Sequence, residues 1–253
     1  MKAFVLTLLV CLCATATSVR AQQAITLRTS AQEGSAPKYI VGDGPATGHC
    51  PDILAAIEKV DKGLRFAIDP RPTPLKRSES DLKEGRIDVI CALLETPLRM
   101  EIAFRINTPL FFLHERLVGR RDDNEPIVKI QDLARAGGIV VTQSGASYAA
   151  ELRRNGVQVV ETAGGSVIAL RNVLNKRARF YYTNELTGAY YIKAEGLGDQ
   201  LRLHPGVLQS SPSYLWVSRQ LDVAIVNRLE QALIQLKHNG ELDRIYQRYE
   251  KEQ

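Results

Sequence analysis

The stretch PLKRSESDLKEGRIDVICALLETPLRMEIAFRINTPLF, residues 74–111, decides how the rest of the chain is read. Its first part, PLKRSESDLKEG, has the pattern of an amphipathic helix closed by Gly85. IDVICALL, Ile87 to Leu94, is an apolar run broken only by Asp88, which predicts a strand buried on both faces. Arg99 lies just beyond this run and just ahead of Ile102, Ala103 and Phe104. A guanidinium in apolar surroundings needs an anionic partner. Glu95 and Glu101 are the neighbouring candidates; the alternative is an anion that arrives from outside.

Strand and helix patterns alternate outward from this stretch in both directions, which predicts an α/β fold with mainly parallel sheets and crossover helices. Upstream, AITLRTS is a strand, HCPDILAAIEKV a helix with Pro51 at its first position and Ile53, Leu54 and Ile57 on one face, and LRFAIDP a second strand. From Glu115 the alternation begins again with ERLVGR, IQDLARAGG and GIVVTQ. SYAAELRRNG follows as a helix with Ser147 as its cap and Asn155-Gly156 as its stop. VQVVET, SVIALRNVLNKRA, RFYYT and NELTGAYYIKAEG complete a second unit, and SYLWVSR is a returning strand. A long amphipathic helix then carries Ile225, Leu229, Leu233 and Leu236, stops at Asn239-Gly240 and leads into a last short helix. Two units of similar size with no Pro/Ser-rich linker predict two lobes tied by short extended crossings. A cleft between them is where a ligand is expected, and Arg99 falls beyond the carboxyl end of a strand, where open α/β sheets place their sites.

Composition narrows the function. Residues 1–21 read as a cleaved export signal: Lys2, an apolar stretch from Ala3 to Cys13, then Val19-Arg20-Ala21. That stretch is too short to span a bilayer, so export to a soluble compartment is expected, with a lipoprotein anchored at Cys11 or Cys13 as the alternative. Lys2 and Arg20 leave with the signal and no acid does, so the formal charge falls from +5 to +3. So small an excess, spread along the chain without interleaved aromatics, does not indicate nucleic acid. Cys50 and Cys91 remain, and a disulfide and two buried free thiols are both open readings. The four histidines, His49, His114, His204 and His238, lack metal-ligand spacing, and no metal site is expected.

Three segments in this order resemble one family: residues 74–111, GIVVTQSGASYAAEL (138–152), and VNRLEQALIQLKHNGELDRIYQRY (226–249). They are similar to the extracytoplasmic solute-binding proteins, family 3, that serve polar amino-acid ABC importers, and the resemblance runs from about Ile25 to Glu250. It implies the two-lobed type II periplasmic binding protein fold with two inter-lobe crossings. Lobe 1 would comprise residues 22–110 plus 213–253 and lobe 2 residues 111–212, closing by a hinge over a small solute. It also implies a monomer, an ABC importer permease as partner, no cofactor and no catalytic residue.

By the same resemblance Arg99 holds the ligand carboxylate, a role suited to a planar two-donor fork. The SGAS turn, Ser144 to Ser147, would add backbone N–H groups, including that of Ala146, and the Ser147 hydroxyl. Three positions depart from the pattern. Leu94 stands where a small hydroxyl residue is usual, Asn184 where an aspartate usually meets the ligand ammonium, and Leu75 where an aromatic usually stacks on the ligand. Either Glu95 or Glu185 would then balance an ammonium, or the ligand has none. Tyr148, with Tyr39, Tyr181 and Tyr182, offers phenol donors. The expected function is capture of a small carboxylate, amino acid or organic acid. The alternatives are a dehydratase-like enzyme using Glu185 or Glu95 as general acid, and a sensor whose closed form docks on a receptor.

Overall fold

The structure, a computed structural model, describes residues 23–251. The export-signal reading of residues 1–21 lies outside the described residues. The chain begins with β1 (Ile25–Gln32), α1 (His49–Val60), β2 (Leu64–Thr73), α2 (Leu75–Lys83), β3 (Val89–Leu94), α3 (Pro97–Ile102) and β4 (Ala103–Arg105). β5 (Phe111–Arg120) leads into α4 (Ile130–Ala136), β6 (Val140–Gln143), α5 (Tyr148–Arg154), β7 (Val159–Thr162), α6 (Gly165–Leu174), β8 (Phe180–Asn184), α7 (Glu185–Ala194) and β9 (Leu201–Leu203). β10 (Gln209–Ser218) returns to the first unit, where α8 (Val223–His238) and α9 (Glu241–Lys251) close the chain.

The parallel pairs expected from the alternation are present: β1 with β2, and β6 with both β7 and β8. The crossings add antiparallel pairing. β5 and β10 pair with each other from Phe111↔Ser213 to Glu115↔Gln209. Beyond that ribbon β10 continues against β3 and β4, while β5 continues against β8 and β9. The two lobes therefore share one sheet, joined through a two-stranded waist at which Glu115 faces both Gln209 and Asn184.

Each lobe has its own apolar interior. In the first, Leu27, Ile53, Leu54, Ile57, Val89, Leu229, Leu233 and Ile245 form one cluster, and Leu75, Leu82, Ile90, Leu93 and Trp216 a second. In the second, Leu117, Leu133, Leu152 and Phe180 fill one face of the sheet and Val118, Leu170, Val173 and Tyr181 the other. β3 is buried at every position, as a strand covered on both sides must be. Asp88, the polar break before it, accepts from Arg28 N at 2.7 Å and Arg28 Nη2 at 2.8 Å and so ties β1 beside β3. α1 starts two residues before Pro51, which still falls in the first turn, where a backbone N–H has no helical partner to lose.

Two irregularities shape the cleft. Pairing of β3 with β10 slips between Tyr214 and Trp216, and at this bulge Ala92 adopts a φ of 52°. Bulges re-aim the chain beside them, and here the Ala92 carbonyl faces Lys38. The second is the segment before α1. A Cβ on Gly48 would meet Pro37 O at 2.4 Å and Lys38 O at 2.6 Å, so glycine alone lets the two runs approach. His49 N and Cys50 N then donate to Pro37 O and Lys38 O at 3.1 and 3.2 Å. Cys50 and Cys91 form a disulfide, which settles the alternative left open by their sequence positions and ties the start of α1 to β3.

Candidate functional site

The lobes meet around a cavity of about 70 Å³. Its rim is closed by contacts from one lobe to the other: Gln143 Nε2 donates to Glu33 O at 2.8 Å and Ser166 Oγ to Gly34 O at 2.8 Å. Gly34 and Gly165 lie back to back, and a Cβ on Gly34 would come within 2.5 Å of Gly165 Cα. Tyr246 Oη reaches from α9 to Glu185 Oε1 at 2.9 Å. A wider groove of about 600 Å³ lies outside Arg99 and is lined by Lys76, Lys83, Arg153 and by Glu79, Glu84 and Glu161. Apart from Glu79, which is buried against Arg99, its charged side chains largely face solvent, so the inner cavity is where a buried charge matters.

Arg99 is held by a short capped helix. Thr96 Oγ1 accepts from Arg99 N at 3.2 Å and Pro97 opens the first turn. The side chain is 4% exposed and lines the cavity. Its internal partner is Glu79, neither Glu95 nor Glu101: Nε donates to Glu79 Oε1 at 2.8 Å. Nη1 donates to Leu94 O at 2.6 Å, and Nη2 makes a longer contact of 3.4 Å to Gly145 O across the cleft. Much of the fork is thus committed inside the protein, and its charge is already offset. Glu79 was missed; the signal that points to it is the buried stripe of α2, Leu75, Ser78, Glu79 and Leu82, on which a carboxylate needs a partner.

The cation that the cleft leaves unbalanced is Lys38, which the sequence reading did not single out. It is 7% exposed, lines the cavity, and donates from Nζ to Gln32 Oε1 at 2.7 Å and to Ala92 O at 3.1 Å. Both acceptors are neutral, and an ammonium has three donors. Among the described residues no carboxylate pairs with it; Glu79, bonded to Arg99, acts from a distance. Burial first, and Arg99 second, push the Lys38 ammonium well below its ordinary range. His49 lines the same wall with its ring edge-on to Phe111, and its Nδ1 has no partner. Burial, then Lys38, lowers it to about 3, so the ring is neutral. The segment holding Lys38 has no helical or strand period, so only the Gly/Pro punctuation of SAPKYIVGDGPATGHC marked it as a built loop.

The other anticipated residues divide between the cavity and its surroundings. Leu75, Leu94, Ala146, Ser147, Tyr148 and Asn184 line it together with Arg99. Glu95 does not; it pairs with Arg105 in a separate groove. Glu185 is taken up by Tyr246 and Arg116. Asn184 caps α7, accepting from Thr187 N and donating to Thr187 Oγ1, both at 3.0 Å. Ser147 precedes α5 but its side chain makes no capping bond. In the SGAS turn it is the Gly145 carbonyl that faces Arg99. Of the tyrosines, Tyr181 Oη is bonded to Ser166 Oγ at 2.9 Å and Tyr182 Oη donates to Glu115 Oε2 at 2.7 Å. Neither aspartate nor glutamate lines the cavity among the described residues.

Two α/β lobes joined by a pair of crossing strands, with a polar cavity enclosed between them, define the class of type II periplasmic binding proteins. The chain belongs to the bacterial extracellular solute-binding proteins, family 3, whose sequence profile matches residues 27–252. Solved structures share the fold. A histidine kinase sensor domain with similarity to periplasmic binding proteins superposes with a TM-score of 0.76 at 21% identity, covering 90% of this chain and 96% of its own. A putative binding component of an ABC transporter from Wolinella succinogenes DSM 1740, complexed with lysine, gives 0.74 at 20% identity, with 88% and 94% covered. The ancestral amino acid-binding protein AncCDT-1, a precursor of cyclohexadienyl dehydratase, gives the same score, identity and coverage. At these identities the likeness is one of fold. No curated protein sequence matches the chain.

Proposed function

We propose that this chain is a periplasmic carrier that closes its two lobes over a small carboxylate-bearing solute and presents the closed form to an ABC importer permease. In this reading residues 1–21 are removed on export and the mature protein acts as a monomer. Residues 22–110 plus 213–253 move against residues 111–212 about the waist where β5 and β10 pair. The observation that carries it is the cavity wall, which offers Lys38 and what remains of the Arg99 fork to an anion and, among the described residues, no carboxylate to compete with one. Such a wall supports a carboxylate better than it supports a neutral or cationic solute.

The dehydratase-like alternative called for Glu185 or Glu95 as a general acid in the cleft, and both are engaged outside the cavity. The sensor reading rests on likeness of fold alone.

The test is a melting-temperature screen against organic acids, amino acids and amines. A solute bound only by the native state stabilises it by about 2.7 kcal/mol at one hundred times its dissociation constant. Stabilisation by carboxylates supports the carrier reading; no shift with any class removes it. Turnover of a stabilising compound, followed by mass spectrometry, would favour the enzyme.

A further inference from the structure

We infer that Lys38 is the principal counter-charge of the ligand, and that the solute is a short monocarboxylate with no ammonium group. This deepens the carrier reading and rests on it.

Three observations converge. Arg99 and protonated Lys38 bring two positive charges to the cavity, and Glu79 behind them brings one negative, already bonded to Arg99; burial and Arg99 oppose protonation of Lys38, and an arriving anion favours it. One positive charge is left over among buried side chains, and a single negative charge brings the count to neutrality. An amino acid adds no net charge, and it would set a second ammonium beside Lys38 and Arg99 with no lining carboxylate to meet it. A dianion would leave one negative charge in excess. Unbalanced charges of this kind are costly when buried.

The unused donor capacity points the same way. Protonated Lys38 Nζ has a third N–H beyond its bonds to Gln32 and Ala92, and His49 Nδ1, on the same wall, has no partner among the described residues and donates in the tautomer that carries its proton there. These groups are held in place: Gly48, the hydrogen bonds to Pro37 and Lys38 carbonyls, the disulfide and the Ala92 bulge fix the loop from behind. Size is the third constraint. At roughly 10–15 Å³ for each water-sized sphere, the inner space of about 70 Å³ favours a solute of a few heavy atoms, and a longer side chain would have to extend out through its open side. Leu75, Leu94 and Leu113 supply an apolar side to the same space, which suits a short alkyl chain.

The experiment uses matched solutes on the mature protein: L-lactate against L-alanine, and glycolate against glycine. Each pair has the same heavy-atom count and exchanges a hydroxyl for an ammonium. Isothermal titration calorimetry in a carboxylate-free buffer is expected to give binding of the hydroxy acid at least about 100-fold tighter than of its amino partner. Succinate, nitrate and chloride are run beside them and are expected to bind more weakly than lactate. Equal or tighter binding of alanine overturns the inference while leaving the carrier reading intact. Nitrate or chloride binding as tightly as lactate replaces the carboxylate with an inorganic monoanion. If neither carboxylates nor amino acids bind, the carrier reading itself fails.

Lys38→Met keeps the stem and removes the charge. It is expected to retain the far-ultraviolet circular dichroism of the parent and to lose at least about 100-fold in lactate affinity. Unchanged affinity in that variant overturns the role of Lys38. Lys38→Gln, which keeps a neutral donor, serves as the second variant and is expected to lose lactate affinity as well.

Discussion

Replacing both Cys50 and Cys91 with alanine tests how far the cleft depends on the disulfide. The bridge spans a sequence separation of 41 residues. In the chain-entropy treatment, closing a loop of that length in the unfolded state is worth about 4 kcal/mol at 25 °C. For a chain of this size each kcal/mol moves the midpoint by roughly 2–4 °C, so the double variant should melt about 8–16 °C lower. A functional effect is expected on top of the loss of stability. The bridge joins α1, whose Cys50 N holds the Lys38 carbonyl, to β3, whose Ala92 carbonyl holds Lys38 Nζ. Loosening it weakens at least one of those bonds, and a net loss of about 1 kcal/mol lowers lactate affinity roughly fivefold. Differential scanning calorimetry with and without saturating lactate reads both quantities. A midpoint change under about 3 °C, together with an unaltered lactate-induced shift, would refute the reasoning.

Glu115 gives a pH prediction. Burial raises its carboxyl to about 7, against the lowering effect of hydrogen bonds from Tyr182 and Ser211. A group whose folded pKa lies above its unfolded value of 4.5 contributes most below that value. About 3 kcal/mol is therefore lost as pH rises from 4.5 to 7. His49 acts in the opposite sense: with its folded pKa lowered to about 3, it contributes above 6.5 and loses that contribution as pH falls. The readout is therefore the difference in urea unfolding between the parent and Glu115→Gln, which should favour the variant at pH 8 and vanish near pH 4.5. A difference that does not change with pH would exclude it. Arg99→Ala leaves Glu79 buried without its partner and should cost about 3–5 kcal/mol by chemical denaturation. Arg99→Met combined with Glu79→Met should recover most of that and, because the pair carries no net charge and Lys38 remains, lactate should still raise its melting temperature. Asn184→Asp keeps the cap on α7, since both residues cap well, and adds a carboxylate to the cavity wall. Calorimetry should then show alanine gaining at least about tenfold on lactate, and a strengthened lactate preference would contradict the placement of Asn184.

Much of the architecture was legible because its signals are local. The apolar stripes of α1 and α8 and the unbroken run of β3 declare their elements in a few residues, and Gly85 and Gly240 mark helix ends with positive φ. Pairing direction was less legible. The alternation of strands and helices implies parallel neighbours, whereas β5 and β10 pair antiparallel because both cross the waist, a property of residues about a hundred positions apart. α3 and β4 were missed because six and three residues are too short to establish a period.

The site divides in the same way. The motif around Arg99 led to the cavity, and Leu75, Leu94, Ser147 and Asn184 converge there with it. What neutralises Arg99 was not legible from its neighbours: Glu79 lies twenty positions earlier and reaches it only when α2 packs beside α3. Lys38 lies in an irregular loop, and its burial depends on Gly48, the disulfide and a bulge in β3, none of which leaves a period in the sequence. The answer to the question posed by Arg99 is accordingly internal, and the charge available to a ligand stands one residue type and one loop away.

Lys38 Nζ is expected to meet the negative group of the solute. A crystal structure of the mature protein with bound lactate tests it most directly. A carboxylate oxygen is expected within about 3 Å of Lys38 Nζ, inside the cavity and beside His49. A carboxylate held by Arg99 alone, with Lys38 Nζ still bonded only to Gln32 and Ala92, would contradict it.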